Sequence, residues 1–244
     1  KVTKQADGTF CISTKKDGQP AMAGAKVDGQ PVGAGVCDYE AKAVIIATGV
    51  HPRELNIPGE KEYRGKGVTY CTTCDGPLFA GKVTTVVGGG NSALEAALML
   101  ADIATKVYVI NKNAQFKGDD VLIKKLESKP NAQIIYEAGT KEVKGEQFVK
   151  SIVYTDKAGQ DHDLPTDGIF VHIGMVPNSD IAPADVQKNP FGEIMVNAKC
   201  ETNIPGLYGA GDVTDVPFKQ IVIASGQGTT ATLSAVQYLN KLPH

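Results

Sequence analysis

Apolar residues along the chain fall into runs whose spacing changes from segment to segment, and that spacing predicts strands and helices. Residues 1–50 carry short alternating runs, such as 9–13, separated by Gly, Pro and Asp. This predicts an antiparallel hairpin or meander with loose turns. The apolar run at 43–49, closed by Thr48 and Gly49, suits a strand covered on both faces. Further on, Val83–Val87 reads as a strand, Asn91–Ala101 spaces Leu and Ala at helical intervals, and Lys106–Ile110 reads as a second strand. Strand, helix and strand in that order predict a βαβ unit with a parallel sheet and a right-handed crossover.

Beyond it, 120–128 has helical spacing, and 133–136, 148–154 and 168–173 have strand character, with a hairpin turn near 156–159. A Pro- and Asn-rich connector over 175–192 leads to short strands at 193–196 and 206–210. Residues 225–239 predict a closing helix, with Gly226 and Gly228 near its N-terminus. The Gly- and Ala-rich stretch 16–38 contains Gly33-Ala34-Gly35, but no buried strand precedes it and no helix follows. It reads as a solvated loop and not as a phosphate loop. The βαβ unit thus lies between two pieces of something else, in a chain of 244 residues, which is long enough for one large domain or two modest ones.

Composition narrows the function. Hydrophobic residues make up 42% and charged residues 21%, and the formal net charge of -2 gives no electrostatic reason to expect nucleic acid or an anionic membrane as partner. No apolar run approaches the length that spans a bilayer and no signal peptide opens the chain, so a cytoplasmic location is expected. The chain starts on Lys1 within a strand-like pattern and is expected to be a fragment. Five cysteines at irregular spacing do not make a secreted disulfide scaffold. Cys11, Cys37 and Cys200 read as singletons in structural contexts. No second Cys or His pair completes a four-ligand zinc site, and no metal is expected. The four histidines, His51, His162, His172 and His244, stand alone, and each is assigned a structural or surface role.

Cys71 and Cys74 are the sharpest chemical signal, in Cys71-Thr72-Thr73-Cys74-Asp75-Gly76-Pro77. A C-x-x-C pair favours the thiolate, the reactive form, and Asp75 is placed to supply or remove the proton during exchange. Immediately downstream, Gly88, Gly90 and Ala93 fit G-x-G-x-x-A, with Asn91 and Ser92 opening the helix. The glycines allow a tight turn and close approach of a pyrophosphate, whose charge meets the helix N-terminus. An acid at the end of the second strand would favour NAD, but Asn111 holds that position, followed by Lys112 and Lys117, and the nucleotide is left open. Gly209-Ala210-Gly211-Asp212 ends a short strand in a turn whose carboxylate suits ribityl or ribose hydroxyls.

These stretches carry a resemblance. C-T-T-C-D-G at 71–76, G-G-G-N-S-A at 88–93, A-T-G at 47–49, and G-A-G-D-V with K-Q-I over 209–221 resemble the low-molecular-weight thioredoxin reductase family. They also resemble its close relative, the flavoprotein subunit of alkyl hydroperoxide reductase. D-G-P-L-F at 75–79 and A-K-C-E-T-N at 198–203 lean towards the relative. The resemblance implies an α/β fold of two Rossmann-like, three-layer nucleotide-binding domains. A nicotinamide domain with the dithiol (53–172) is inserted in an incomplete FAD domain (1–52 and 173–244), whose first strand and pyrophosphate loop would lie upstream of Lys1. By resemblance Cys74 is the thiol next to the flavin, Cys71 exchanges with the protein substrate and Asp75 donates the proton. Thr48, Gly49, Gly211, Asp212, Lys219, Gln220 and Ile221 match positions around FAD. Where NADPH-dependent members have H-R-R-x-x-x-R, this chain has Asn111-Lys112-Asn113 and Lys117, which allows NADH or another electron donor altogether. The expected activity passes electrons from NAD(P)H through FAD and the dithiol to a thioredoxin or peroxiredoxin-type protein disulfide. A homodimer is expected, whose nicotinamide domain rotates so that the dithiol alternates between flavin and partner. The rival reading is a fragment without FAD that binds a nucleotide or a partner.

Overall fold

The structure is a computed structural model that describes residues 1–14 and 37–243 in full and, between them, only the backbone of residues 15–16, 19–20, 26–27 and 30–31. Gly33-Ala34-Gly35 lies outside the described residues. In chain order the strands begin with β1 (Val2–Lys4), β2 (Phe10–Ile12), β3 (Lys15–Lys16), β4 (Gln19–Pro20), β5 (Lys26–Val27), β6 (Gln30–Pro31) and β7 (Tyr39–Ala41). Then come β8 (Val44–Ile46), β9 (Val50–Pro52), β10 (Val68–Thr69), helix α1 (Thr72–Asp75), β11 (Val83–Val87), α2 (Asn91–Ala101), β12 (Lys106–Ile110), α3 (Asp120–Glu127) and β13 (Ala132–Ile135). The chain continues through β14 (Gly139–Gly145), β15 (Val149–Thr155), β16 (Asp161–Pro165), β17 (Gly168–Val171), β18 (Met175–Pro177), β19 (Leu207–Gly209) and α4 (Ile221–Leu239).

Two compact units result, one made of Lys1–His51 with Val176–His244, the other of Pro52–Met175. The continuous unit is a mixed α/β fold in three layers. Its centre is a parallel sheet in the order β10-β17-β11-β12-β13. Apolar residues occupy both faces of these strands because both faces are covered. Val86, Val107, Val109 and Phe170 pack with Ala93, Ala97 and Leu100 of α2 and Leu126 of α3. Val87, Ile110, Ile169 and Val171 pack on the other side with Val143, Val149 and Ile152 from the antiparallel sheet β14-β15-β16. Burying each such side chain contributes about 1.5–3 kcal/mol, so the two apolar layers hold the central strands from either side.

In the split unit, β1, β2 and β7 form an antiparallel sheet, and β8 pairs in parallel with β19. A core of Val2, Phe10, Ile46, Ile194, Ile204 and Leu207 lies beneath them, and Tyr208, Ala231 and Ala235 seat α4.

Four expectations need correction. Cys11 and Cys37 are not singletons but a disulfide with Cα atoms 5.1 Å apart. The meander brings β7 alongside β2, which sets Cys37 next to a residue 26 positions away, a proximity that spacing alone does not display. Residues 193–196 form no strand, only isolated bridges of Ile194 with Lys188 and Thr214. The closing helix begins at Ile221 and not at 225, with Gln220 as N-cap, so both glycines lie inside it. Finally, β8 is not covered on both faces among the described residues, since Ile45 is 37% exposed while Ile46 is buried.

Candidate active site

The dithiol sits in a turn that several side chains pin from different directions. Strand β10 ends at Thr69, Tyr70 follows, and Cys71 is the N-cap of the four-residue helix α1. Cys71 and Cys74 are bonded, with Cα atoms 5.3 Å apart, and the Cys74 N–H donates to Cys71 Sγ at 3.2 Å. Cys71 is half-buried and Cys74 exposed. The Thr69 hydroxyl donates to Asp75 Oδ2, and it accepts the Cys71 N–H at 3.3 Å. One side chain therefore aims the acid and steadies the first cysteine.

Upstream, the carboxylate of Glu60 is wholly buried and accepts from the Leu55 and Asn56 N–H groups at 2.7 Å each and from the Tyr70 hydroxyl at 2.9 Å. Burial and the Glu60 carboxylate together push the Tyr70 phenol well above its ordinary pKa, so it stays a proton donor. Downstream, the turn Gly76–Phe79 is fixed by Phe79, whose ring meets that of Phe170 edge-on at 5.2 Å. A Cβ at Gly168 would lie 2.3 Å from the Phe79 ring, so only glycine admits that contact.

The second half of the site is the β11–α2 turn. Gly88 has φ +155, and a Cβ there would lie 2.2 Å from the His172 carbonyl oxygen and 2.8 Å from Ala93 Cβ. Glycine is required by the close approach of two chains. Gly90 is the N-cap of α2 without any side-chain cap, and Asn91 and Ser92 are exposed at the helix start. Ala93 and Leu94 donate back to the Gly90 carbonyl, so the first two helical N–H groups face outward, the arrangement that receives a pyrophosphate. Asn91 Oδ1 accepts the Asp119 N–H at 2.8 Å, and the Lys117 N–H donates to the Gly89 carbonyl at 2.7 Å, which ties the 117–119 segment to the turn.

Asn111 is only 1% exposed and uses its side chain internally. Its Nδ2 donates to the Gln115 carbonyl at 3.1 Å and its Oδ1 accepts the Asn113 N–H at 3.0 Å, shaping the loop after β12. Lys112 and Lys117 are exposed beside it.

Sequence reasoning missed His172. It leaves β17 at the C-terminal edge of the parallel sheet, where ligands of such sheets gather, and that position was the available signal. Its N–H donates to the Val87 carbonyl at 2.8 Å, and its Nε2 lies 2.8 Å from Thr72 Oγ1. Burial pushes the imidazole pKa down to about 4, so the ring is neutral at pH 7.

The other predicted residues lie in the split unit. Because β8 and β19 are parallel and in register, Thr48 and Gly49 leave the sheet at the same edge as Gly211 and Asp212. Thr48 Oγ1 donates to the Asn178 carbonyl at 2.7 Å, and the Gly49 carbonyl accepts the Asn178 N–H. The Gly211 N–H donates to Gln227 Oε1 at 2.8 Å. Asp212 is half-buried, and among the described residues its carboxylate accepts no hydrogen bond. Lys219 is engaged, with Nζ 2.8 Å from Glu193 and 2.6 Å from the Thr214 carbonyl. Gln220 and Ile221 open α4.

The structure thus brings Cys71, Cys74 and Asp75 into one turn, and Gly88, Gly90, Asn91, Ser92, Ala93, Asn111, Lys112 and Lys117 around a second turn of the same unit.

Residues 4–228 match the model of the pyridine nucleotide-disulphide oxidoreductase family. The chain is 50% identical over 208 residues to an alkyl hydroperoxide reductase subunit of Pseudomonas putida, covering 84% of this chain and 40% of that protein. It is 46% identical over 201 residues to a protein of Bacillus subtilis named NADH dehydrogenase, covering 82% and 40%. Among solved structures, thioredoxin reductase from Streptococcus pyogenes superposes with a TM-score of 0.83 at 31% identity, covering 99% of this chain and 74% of that one. The chain spans about 40% of the length of the curated relatives it matches.

Proposed function

We propose, on the premise that the chain belongs to the pyridine nucleotide-disulphide oxidoreductase family, that it is the core of a flavin-dependent disulfide reductase passing electrons from a nicotinamide nucleotide to a protein disulfide. The observation that carries this reading is the Cys71–Cys74 disulfide on a one-turn helix, with Asp75 tethered beside it, in the unit that holds the dinucleotide turn.

The residues present fit a nicotinamide nucleotide and one part of an FAD site. Gly88 lets the turn close against His172 and Ala93, and the open N-terminus of α2 that follows suits a pyrophosphate. In the split unit Asp212, whose carboxylate accepts no hydrogen bond among the described residues, suits ribityl or ribose hydroxyls at the shared edge of β8 and β19. When bound, FAD supplies the two-electron relay between nicotinamide and disulfide. The chain's own residues do the rest. The thiolate of Cys71 attacks one sulfur of the partner disulfide and expels the other as a thiolate, giving a mixed disulfide. Cys74 then attacks Cys71, releasing the second partner thiol and restoring the Cys71–Cys74 bond. Asp75 carries the proton between Cys74 and the departing thiolate. We take NADH as the nucleotide, because no arginine stands at 111–117 to grip a 2′-phosphate in two places and a relative is named NADH dehydrogenase. A thioredoxin or peroxiredoxin-type disulfide is the partner, in keeping with the names of the relatives. We place the enzyme in the cytoplasm; it acts as a homodimer, since Ile221, Val222 and Leu233 of α4 are exposed apolar residues that a second copy would cover.

The test is turnover of the FAD-loaded chain with NADH and a protein disulfide, alongside Cys74→Ser. The variant should lose disulfide reduction at least a thousandfold while NADH still bleaches the flavin. Undiminished turnover in the variant would remove the dithiol from the reaction.

A further inference from the structure

We propose that His172 is a positioning residue for the dithiol, pinning the N-terminal end of its helix to the dinucleotide turn through Thr72. The inference rests on the reading of Cys71–Cys74 as the redox pair.

Helix α1 has four residues, and a helix that short has no stability of its own. Its position depends on what holds it. Thr69 grips the C-terminal end through Asp75, and Phe79 anchors the turn that follows. The N-terminal end is held by Thr72, 5% exposed, whose Oγ1 lies 2.8 Å from His172 Nε2. With the imidazole proton on Nδ1, the threonine hydroxyl is the donor. His172 is itself rigidly placed. Its N–H is bonded to the Val87 carbonyl, and its own carbonyl rests against Gly88. A single residue therefore touches the first residue of the dithiol helix with its ring and the glycine of the nucleotide turn with its backbone.

The consequence for chemistry runs through Cys71. The Cys74 N–H aimed at Cys71 Sγ stabilises a thiolate there only while the helix keeps its position. Loss of the pin lets the helix drift, so the Cys71 thiolate is less favoured and the pair holds more firmly as a disulfide. The ring is neutral at pH 7, so its influence passes through position and not through charge.

The test uses glutathione and needs neither flavin nor nucleotide. Two glutathione thiols donate two electrons and two protons to the Cys71–Cys74 bond, giving two cysteine thiols and one glutathione disulfide. The equilibrium constant is measured on the full chain for wild type, His172→Ala, Thr72→Val and the double variant, together with the pH dependence of Cys71 alkylation. Each single variant should lower the constant for reduction three- to tenfold and raise the Cys71 thiol pKa. The double variant should do no more than either single one, and His172→Gln, which keeps a hydrogen-bonding group, should restore much of the effect. Thr72→Val preserves shape and guards against loss of fold. Variants with lowered melting temperature but an unchanged constant and thiol pKa would overturn the inference alone. A wild-type pair inert to glutathione would overturn the redox reading and the inference with it.

Discussion

At the scale of single residues, Glu60 shows how the site depends on a group that takes no part in exchange. It is a buried carboxylate, a costly placement unless its oxygens are satisfied, and here two backbone N–H groups and the Tyr70 hydroxyl satisfy them. Tyr70 directly precedes Cys71, so this cluster fixes the approach of the chain to the dithiol. In Glu60→Gln the amide NH2 would face one of the two backbone N–H donors, Leu55 or Asn56, and the charge-assisted bonds would be lost. The variant should be less stable by about 2–4 kcal/mol in urea denaturation, and a midpoint equal to wild type would refute this account. Nothing in the sequence around Glu60 signals the cluster, because its partners at 55, 56 and 70 come together only when the loop closes. Cys71, Cys74 and Asp75 were legible because their chemistry is written in adjacent letters. Thr72 and His172 were not, being 100 positions apart.

At the scale of elements, the β11–α2 turn was legible for a physical reason. A strand buried on both faces is made mostly of apolar and β-branched residues, as Val83–Val87 is with Thr84 and Thr85 at its centre, and a pyrophosphate turn must be glycine-rich, so both constraints appear as local composition. Strands β14 and β16 escaped notice because the sheet they flank has one solvated side, and their exposed charged residues, such as Lys141, Lys144, Asp161 and Asp163, break the apolar run. The start of α4 was misplaced because Gly226 and Gly228 read as a terminus, whereas packing of Ala231 and Ala235 under Tyr208 carries the helix through them. The turn also yields a sharp expectation. In Gly88→Ala the new Cβ would meet the His172 carbonyl oxygen at 2.2 Å, and backbone at that distance cannot swing aside as a flexible side chain would. The turn must shift, and NADH affinity should fall tenfold or more in a fluorescence titration, while the Cys71–Cys74 pair remains reducible by glutathione. Unchanged affinity would place the nucleotide elsewhere.

At the scale of the molecule, the two units differ in how they are made. Pro52–Met175 is one uninterrupted segment, with a helix layer, a parallel sheet and an antiparallel sheet enclosing two apolar cores drawn from its own residues. The other unit needs both ends of the chain, since β8 near the start pairs with β19 near the end. Long-range pairing of that kind must await the whole chain, whereas a continuous segment has a smaller loop-closure cost. The segment 52–175, expressed alone, should therefore fold, unfold cooperatively in urea and exchange its single pair of cysteines with glutathione at the constant measured in the full chain. The second half of that expectation is the more demanding, because every contact named around the dithiol, from Glu60 and Thr69 to Phe170 and His172, lies within the segment. If the isolated segment folds but its constant moves by more than tenfold, the contacts named here are not what sets the reactivity of the dithiol.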